Sequence, residues 1–153
     1  MNVKVEIPGL DKLLAAVKKA PAVTLAEVSK AVQKSALTVQ SAAIKEAPVN
    51  KGHGGGNLRQ NIKVTQMTKT RAVITSRAPY SIFVEEGTRP HLIRPKVKKA
   101  LADRRNKLFF GKLVHHPGTK ANPYMQRAMK QSQGKVTEFF KLAMVNVIKT
   151  LKI

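Results

Sequence analysis

The stretch YSIFVEEGTRPH, residues 80–91, contains the only two adjacent acidic residues of the chain, Glu85 and Glu86. Paired carboxylates hydrolyse glycosidic bonds when they face one bond across about 5 to 9 Å. The surrounding pattern predicts a helical turn, on which adjacent side chains point about 100° apart and do not converge. We therefore predict no catalytic pair. One acid is expected to pair with a basic residue such as Arg59 or Arg71, or with a neighbouring subunit, while the other faces solvent.

Four histidines are the next candidates for chemistry: His53, His91, His115 and His116. Three imidazoles can bind zinc, so a metal hydrolase is one alternative. The HExxH pattern is missing, and the adjacent pair His115-His116 precedes a Pro-Gly turn. No GxSxG nucleophile elbow is present. These patterns predict no enzyme, no bound metal and no other cofactor.

Positive charge is the strongest global property of the sequence. The 153 residues include 29 Lys and Arg but only 8 Asp and Glu, a formal net charge of +21, and residues 51–120 hold 16 of these cations and 3 of the acids. Such a field attracts nucleic acid or an acidic protein surface. No known nucleic-acid-binding motif accompanies the charge, so any DNA contact would reach only the phosphates. The residues predicted to contact DNA or an acidic partner are Arg89, Arg94, Lys96, Lys98, Lys99, Arg104, Arg105 and Lys107.

The composition indicates one folded domain over residues 1–153. Hydrophobic residues make up 42% of the chain, and both Trp and Cys are absent. The core must therefore rely on aliphatic side chains, and disulfides are excluded. A chain of this length can bury a substantial core. We predict neither a secretory signal nor a membrane span, because no apolar segment has the required position or length.

The N-terminal residues, from about 10 to 47, have the pattern of two helices. Apolar residues at i, i+3, i+4 and i+7 predict a short helix over residues 10–20. A longer, alanine-rich helix is predicted from Thr24, which has capping-box spacing to Glu27. This second helix should end near Ala47, because the proline that follows disfavours helical conformation at the residue before it.

A glycine-rich loop is predicted over residues 48–58. Glycine permits backbone conformations that other residues avoid, so the segment is expected to be flexible. The GxxxxGK[ST] spacing of a phosphate-binding loop is absent. We predict a loop that contacts a partner, formed by Lys51, Gly52, His53, Gly54, Gly55 and Gly56.

A sheet with a basic hairpin or arm is predicted over residues 59–121. Alternating and β-branched residues indicate antiparallel strands at 61–67 and 71–77, with one face covered. One or two helical turns follow at 79–87, anchored by three apolar side chains, Tyr80, Phe83 and Val84, and ended by Gly87. Short extended pieces are predicted at 92–93 and 108–114.

A C-terminal helix is predicted over residues 122–151, with Asn122 as its N-cap and Pro123 at its first position. Gly134 lowers the helix propensity in the middle of this segment, so a break into two helices is the alternative. The predicted fold class is therefore α+β, with an antiparallel sheet packed against N-terminal and C-terminal helices.

Three stretches of the sequence together resemble the neck, or head–tail joining and tail-completion, proteins of tailed bacteriophages. They are AIKEAPVNKGHGGGNLRQNI, APYSIFVEEGTRPHLIRPKVKKAL and VHHPGTKANPYMQRAM. They occur in the order found in that family and span residues 43–129. The insert KGHGGG is longer than the family's usual turn at this place, so no function is carried over to that loop.

The resemblance implies an α+β subunit that assembles as a ring, often a hexamer in related tail-completion proteins, around the passage for DNA between capsid and tail. It implies a non-enzymatic virion protein of the neck or tail, assembled in the host cytoplasm. Its partners would be further copies of itself, other neck and tail proteins and, in passing, genomic DNA. Both a tail terminator and a head-side adaptor fit the sequence. The alternative is a basic protein that binds the phosphate backbone of nucleic acid without sequence specificity.

Overall fold

A computed structural model describes five stretches of the chain: residues 2–4, 22–50, 55–96, 100–103 and 107–151. Helices towards both ends pack with small antiparallel sheets, which confirms the predicted α+β class. The chain divides into two compact units. The first comprises Met1–Ser81 with Tyr124–Ile153, and the second is Ile82–Pro123. One domain over the whole chain stays a prediction.

The first unit is built on a long helix, α1 (Ala22–Glu46). The helix predicted over residues 10–20 lies outside the described residues. Helix α1 starts two residues before its predicted start, and Thr24 is buried with no hydrogen-bond partner for its hydroxyl among the described residues. The predicted capping box was therefore wrong, because Thr24 already lies inside the first turn.

The predicted end of α1 is confirmed, since the Ala47 N–H still donates to the Ala43 carbonyl over 2.9 Å. The buried face consists of Thr24, Val28, Ala31, Val32, Ser35, Ala36, Val39 and Ala43.

A three-stranded antiparallel sheet packs against α1, with strand order β1 (Asn2–Lys4), β3 (Ala72–Ser76), β2 (Ile62–Met67). The predicted hairpin of β2 and β3 is confirmed, and the Thr68 N–H closes its turn by donating to the Arg71 carbonyl over 2.7 Å. Strand β1 was not predicted, because three residues carry too little alternation to be recognised. A one-turn helix, α2 (Asn57–Gln60), precedes β2. The predicted loop 48–58 therefore ends at Gly56.

The longest helix, α4 (Tyr124–Leu151), packs along α1. It begins one residue after Pro123, within the usual uncertainty of a helix boundary. It continues through Gly134, so the single predicted helix is confirmed and the alternative of two helices is excluded. A glycine inside a helix costs about 1 kcal/mol relative to alanine, and the buried face on both sides of Gly134 outweighs that cost. That face consists of Tyr124, Met125, Ala128, Ser132, Val136, Phe140 and Ala143.

The second unit consists of short antiparallel ribbons that follow α3 (Ser81–Glu86). Strand β4 (His91–Ile93) pairs with β7 (Val114–His116), and β5 (Leu101–Asp103) pairs with β6 (Leu108–Gly111). The single extended piece predicted over residues 108–114 is therefore divided between two ribbons. It is divided just after Gly111, whose φ of 81° belongs to the left-handed region.

The second unit has no apolar core of its own among its described residues. Within those residues of Ile82–Pro123, Glu85 is the single buried side chain. Seven large apolar residues are exposed instead: Ile82, Phe83, Leu92, Leu108, Phe109, Phe110 and Leu113. Small units that bury little apolar surface usually need further burial, metals or disulfides to be stable.

Candidate interaction surfaces

The two adjacent acids have opposite environments on α3. Glu85 is only 2% exposed and has an interaction partner within the chain, whereas Glu86 is exposed. A buried carboxylate is tolerated when hydrogen bonds or ion pairs replace its hydration. The two side chains point in different directions, as helical geometry predicts, so they do not form a shared catalytic site. An interface role for either acid stays a prediction.

Arg59, named from the sequence as one partner for an acid, has a different role. Its Nε donates to the Ala47 carbonyl over 2.8 Å, and its Nη2 donates to the Lys45 carbonyl over 3.1 Å. Both acceptors lie at the C-terminal end of α1, where carbonyl groups lack partners within the helix. The guanidinium also opposes the partial negative charge of that helix end. Arg59 is therefore a capping residue of α1.

The three predicted apolar anchors of the α3 region do not form a buried face. Tyr80 and Phe83 are exposed, Phe83 by 57%, and Val84 is half-buried. The buried positions are Ser81 and Glu85, one helical turn apart. The anchoring prediction was wrong, because a six-residue helix has too few positions for apolar spacing alone to decide which face is buried.

Two Gly-Thr pairs, from the second and third family-like stretches, form a clasp within the second unit. The Thr88 and Thr119 amides each donate to the other's carbonyl, over 3.0 and 3.1 Å, and their hydroxyls lie 3.0 Å apart. A Cβ at Gly87 would lie 2.4 Å from the Thr119 carbonyl oxygen, and one at Gly118 would lie 2.3 Å from that of Thr88. Only glycine permits this approach. Sequence reasoning missed the clasp, although the repeated Gly-Thr was a visible signal.

The clasp continues in one register into the β4–β7 ribbon. His91 pairs with His116, and in that register Pro90 lies opposite Pro117. Neither proline has an N–H to donate, which explains why the hydrogen-bonded ladder is interrupted between clasp and ribbon.

Two of the candidate metal ligands, His91 and His116, stack on each other instead of converging. Their ring centroids are 4.9 Å apart at an interplanar angle of 25°. His91 Nδ1 donates to the Arg89 carbonyl over 2.9 Å, and His116 Nδ1 accepts from the Gly118 N–H over 3.0 Å. In the described part of the chain, no three His, Cys, Asp or Glu side chains are grouped as metal ligands. His53 lies outside that part.

The residues predicted to form a basic contact surface are only partly described. Arg89, Arg94, Lys96 and Lys107 are exposed. Lys98, Lys99, Arg104 and Arg105 lie outside the described residues. Their contact with DNA or an acidic partner stays a prediction.

The glycine-rich loop is also partly described. Lys51, Gly52, His53 and Gly54 lie outside the described residues. A Cβ at Gly55 would lie 1.9 Å from the Asn50 carbonyl oxygen, and Gly56 has a φ of 98° just before α2. The end of the loop therefore requires glycine for close packing and for a left-handed turn.

Two exposed apolar surfaces stand out, one in each unit. In the first unit, Leu142, Val145 and Ile148 recur along one side of α4 and remain exposed. In the second unit, three consecutive residues of β6, Leu108–Phe110, are exposed by 52%, 74% and 49%. Exposed apolar surface of this kind marks contact sites for other molecules.

A groove of about 230 Å³ lies between α1 and α4. Glu27 lies on its wall, where it accepts from Lys30 Nζ over 2.6 Å and from Asn146 Nδ2 over 3.0 Å. The Lys30 and Asn146 hydrogen bonds lower the pKa of Glu27. Because both carboxylate oxygens are engaged, Glu27 is suited to holding the two helices together.

The two units thus differ in their packing: the first has an apolar core, and the second leaves its large apolar residues exposed. The family described as "Bacteriophage HK97-gp10, putative tail-component" matches residues 11–87, just over half of the chain. The chain therefore belongs to the HK97-gp10-like family of bacteriophage tail components. No curated protein and no solved structure matches it significantly.

Membership of this family confirms the resemblance to phage tail proteins that the sequence motifs indicated. The protein is a structural component of the phage tail, it belongs to the virion, and its partners include other phage proteins. None of the helices within the described ranges is long and apolar enough to cross a membrane.

Proposed function

We propose that this protein is a non-enzymatic subunit that assembles into a ring and joins or completes the tail at the head–tail interface. Membership of a tail-component family is the observation that carries the proposal. The three ordered stretches at residues 43–129 favour the neck among the possible places in a tail. Assembly would occur in the host cytoplasm, before the ring becomes part of the virion.

The exposed side of α4 supports self-assembly. Leu142, Val145 and Ile148 lie on a helix whose other side already packs on α1, so they are free to contact a second copy. Burying one such side chain contributes about 1.5 to 3 kcal/mol. A ring that repeats this contact would offset the mutual repulsion of subunits with a net charge of +21.

Electron microscopy and native mass spectrometry of the purified protein, alone and mixed with tails from a deletion phage, test this proposal. We expect rings that cap the tails. The double variant Leu142→Ser/Ile148→Ser should lose ring formation, whereas Leu37→Ser, an equally exposed position on α1, should retain it. If the protein joins neither rings nor tails, and a deletion phage still makes normal virions, the proposal is wrong.

The charge favours a second candidate, a protein that binds nucleic acid through its phosphates. This candidate predicts sub-micromolar binding of a short DNA duplex near physiological salt, with an affinity that falls steeply as salt rises. Fluorescence anisotropy over a salt series measures both properties. Undetectable binding at physiological salt would exclude it.

A further inference from the structure

We propose that the exposed apolar stretch Leu108–Phe110 of the β5–β6 hairpin docks in an apolar cleft with an acidic rim on a different virion protein. The hairpin would act within the joining function proposed above, on which this proposal rests. The exposed α4 residues Leu142, Val145 and Ile148 would then form contacts between copies, and the hairpin would bind the different protein.

Each face of the hairpin carries an exposed, large apolar side chain. Leu108 pairs with Asp103 and Phe109 pairs with Ala102, so the side chains of Leu108 and Phe109 project from opposite faces. Phe110 is the extra residue where the register shifts, and it too is exposed. A ribbon with one apolar face needs one covering surface. This ribbon presents apolar side chains on both faces, and a cleft covers both at once.

The charges beside these residues indicate an acidic rim. Lys107 and Lys112 flank the apolar stretch, and both are exposed. Lys30 pairs with Glu27 and Arg127 pairs with Glu46, and both of these ion pairs lie in the first unit. The unit Ile82–Pro123 contains ten Lys and Arg and only three Asp and Glu. Carboxylates on the partner would complement this excess.

A second copy of the chain is poorly suited to supply that rim. Glu27 and Glu46 each accept two hydrogen bonds, and Glu85 is buried. Of the acids whose side chains the structure describes, Glu86 and Glu138 remain exposed. The whole chain has only 8 Asp and Glu against 29 Lys and Arg, which is a poor composition for an acidic rim. The complementary partner is therefore a different protein.

Nucleic acid would make favourable contacts with only one face of the hairpin. An exposed aromatic ring such as Phe109 can stack on a base, and the neighbouring cations can contact phosphates. Leu108, on the opposite face, has no comparable contact to gain from a polyanion. An apolar cleft in a protein satisfies both faces, which is why we favour a protein partner.

Reconstitution with purified heads and tails from a deletion phage tests the proposal, with infectious particles as the readout. We expect Phe109→Ser, and separately Leu108→Ser, to lower restoration by at least about tenfold relative to wild type, because each removes the contacts of one face. The charge reversal Lys107→Glu/Lys112→Glu should lower it as well. Leu37→Ser, which changes an exposed apolar residue of the first unit, should restore joining within about twofold. Because the substituted residues are exposed, all variants should keep the wild-type circular dichroism and melting temperature.

The outcomes separate this proposal from the joining function. If wild-type protein restores no particles, the joining function itself is wrong. If wild-type protein restores particles and the hairpin variants restore them equally well, the hairpin proposal is wrong while the joining function stands.

Loss in only one apolar variant would contradict the two-faced cleft, and full activity of the charge reversal would contradict the acidic rim. Loss of ring formation by the hairpin variants in the absence of heads and tails would identify a second copy as the occupant. A tenfold loss of affinity for a short labelled DNA duplex by Phe109→Ser, with normal particle restoration, would identify nucleic acid.

Discussion

Arg59 illustrates how one side chain stabilises the junction between α1 and the glycine-rich loop. Its two hydrogen bonds reach the carbonyls of Ala47 and Lys45, beyond the last bonds within the helix. We expect Arg59→Met to lower the free energy of unfolding by about 1 to 3 kcal/mol, because it removes charge-assisted bonds to those carbonyls. Urea denaturation measures this loss. Arg71→Met, at an exposed turn residue, should change stability by less than about 0.5 kcal/mol, and equal losses would contradict the capping role.

Neutralising each of the two acids of α3 should affect stability differently. Glu85→Gln should lower the free energy of unfolding by about 1 to 3 kcal/mol, because a buried, engaged carboxylate loses charge-assisted interactions. Glu86→Gln is exposed and should leave folding unchanged within about 0.5 kcal/mol. Urea denaturation of each variant, combined with a ring assay, tests both. If Glu86→Gln also leaves assembly unchanged, our prediction of an interface at Glu86 is wrong.

At the scale of elements, the Gly-Thr clasp continues the pairing of the β4–β7 ribbon. Gly118→Ala would place a Cβ 2.3 Å from the Thr88 carbonyl oxygen and strain a backbone φ of 86°. We expect it to open the clasp, so that the Thr88 and Thr119 amides lose protection in hydrogen exchange. Gly111→Ala is the matched control, because its φ is 81° and no atom lies within 4 Å of the added Cβ. If both variants lose protection at these two amides equally, backbone strain, and not close packing, controls the clasp.

Gly134, in the middle of α4, is a position where a substitution should stabilise the protein. Gly134 is exposed, and a Cβ there would meet nothing within 4 Å. Gly134→Ala should raise the free energy of unfolding by about 1 kcal/mol, because alanine has the higher helix propensity. Thermal denaturation of the isolated protein measures the gain. A loss of stability would show that α4 needs a flexible point at this residue.

At the scale of the whole molecule, two carboxylates link α1 to α4 near opposite ends of the helix pair. Lys30 and then Asn146 lower the pKa of Glu27 by hydrogen bonding, and Arg127 and then Gln131 lower that of Glu46. A pKa that is lower in the folded state stabilises the fold above the unfolded value, near 4.5, and the contribution is lost as pH falls through the folded value.

We therefore expect the melting temperature to stay level from pH 7 to about 5 and to fall below about pH 4.5. The double variant Glu27→Gln/Glu46→Gln should melt lower at pH 7 and lose less on acidification. Differential scanning calorimetry across this range is the measurement, with the exposed Glu138→Gln as control. An unchanged acid response in the double variant would show that other groups control acid stability.

Much of the fold could be predicted from local pattern. The β2–β3 hairpin, the short helix that ends at Gly87 and the two long helices follow from alternation, turn residues and helical spacing. The divergence of Glu85 and Glu86 follows from helix geometry. These properties depend on neighbours in sequence, so they are visible before the chain folds.

Other properties depend on residues far apart in the chain. The sequence names both Gly-Thr pairs, but only the fold brings Thr88 and Thr119 together. It shows Tyr80 and Phe83 as apolar, but packing leaves them exposed and buries Glu85. Local chemistry thus determined the elements, the α+β class and the charge of this tail component. Which side chains are buried was decided by tertiary structure, because burial is a property of what long-range packing brings against each face.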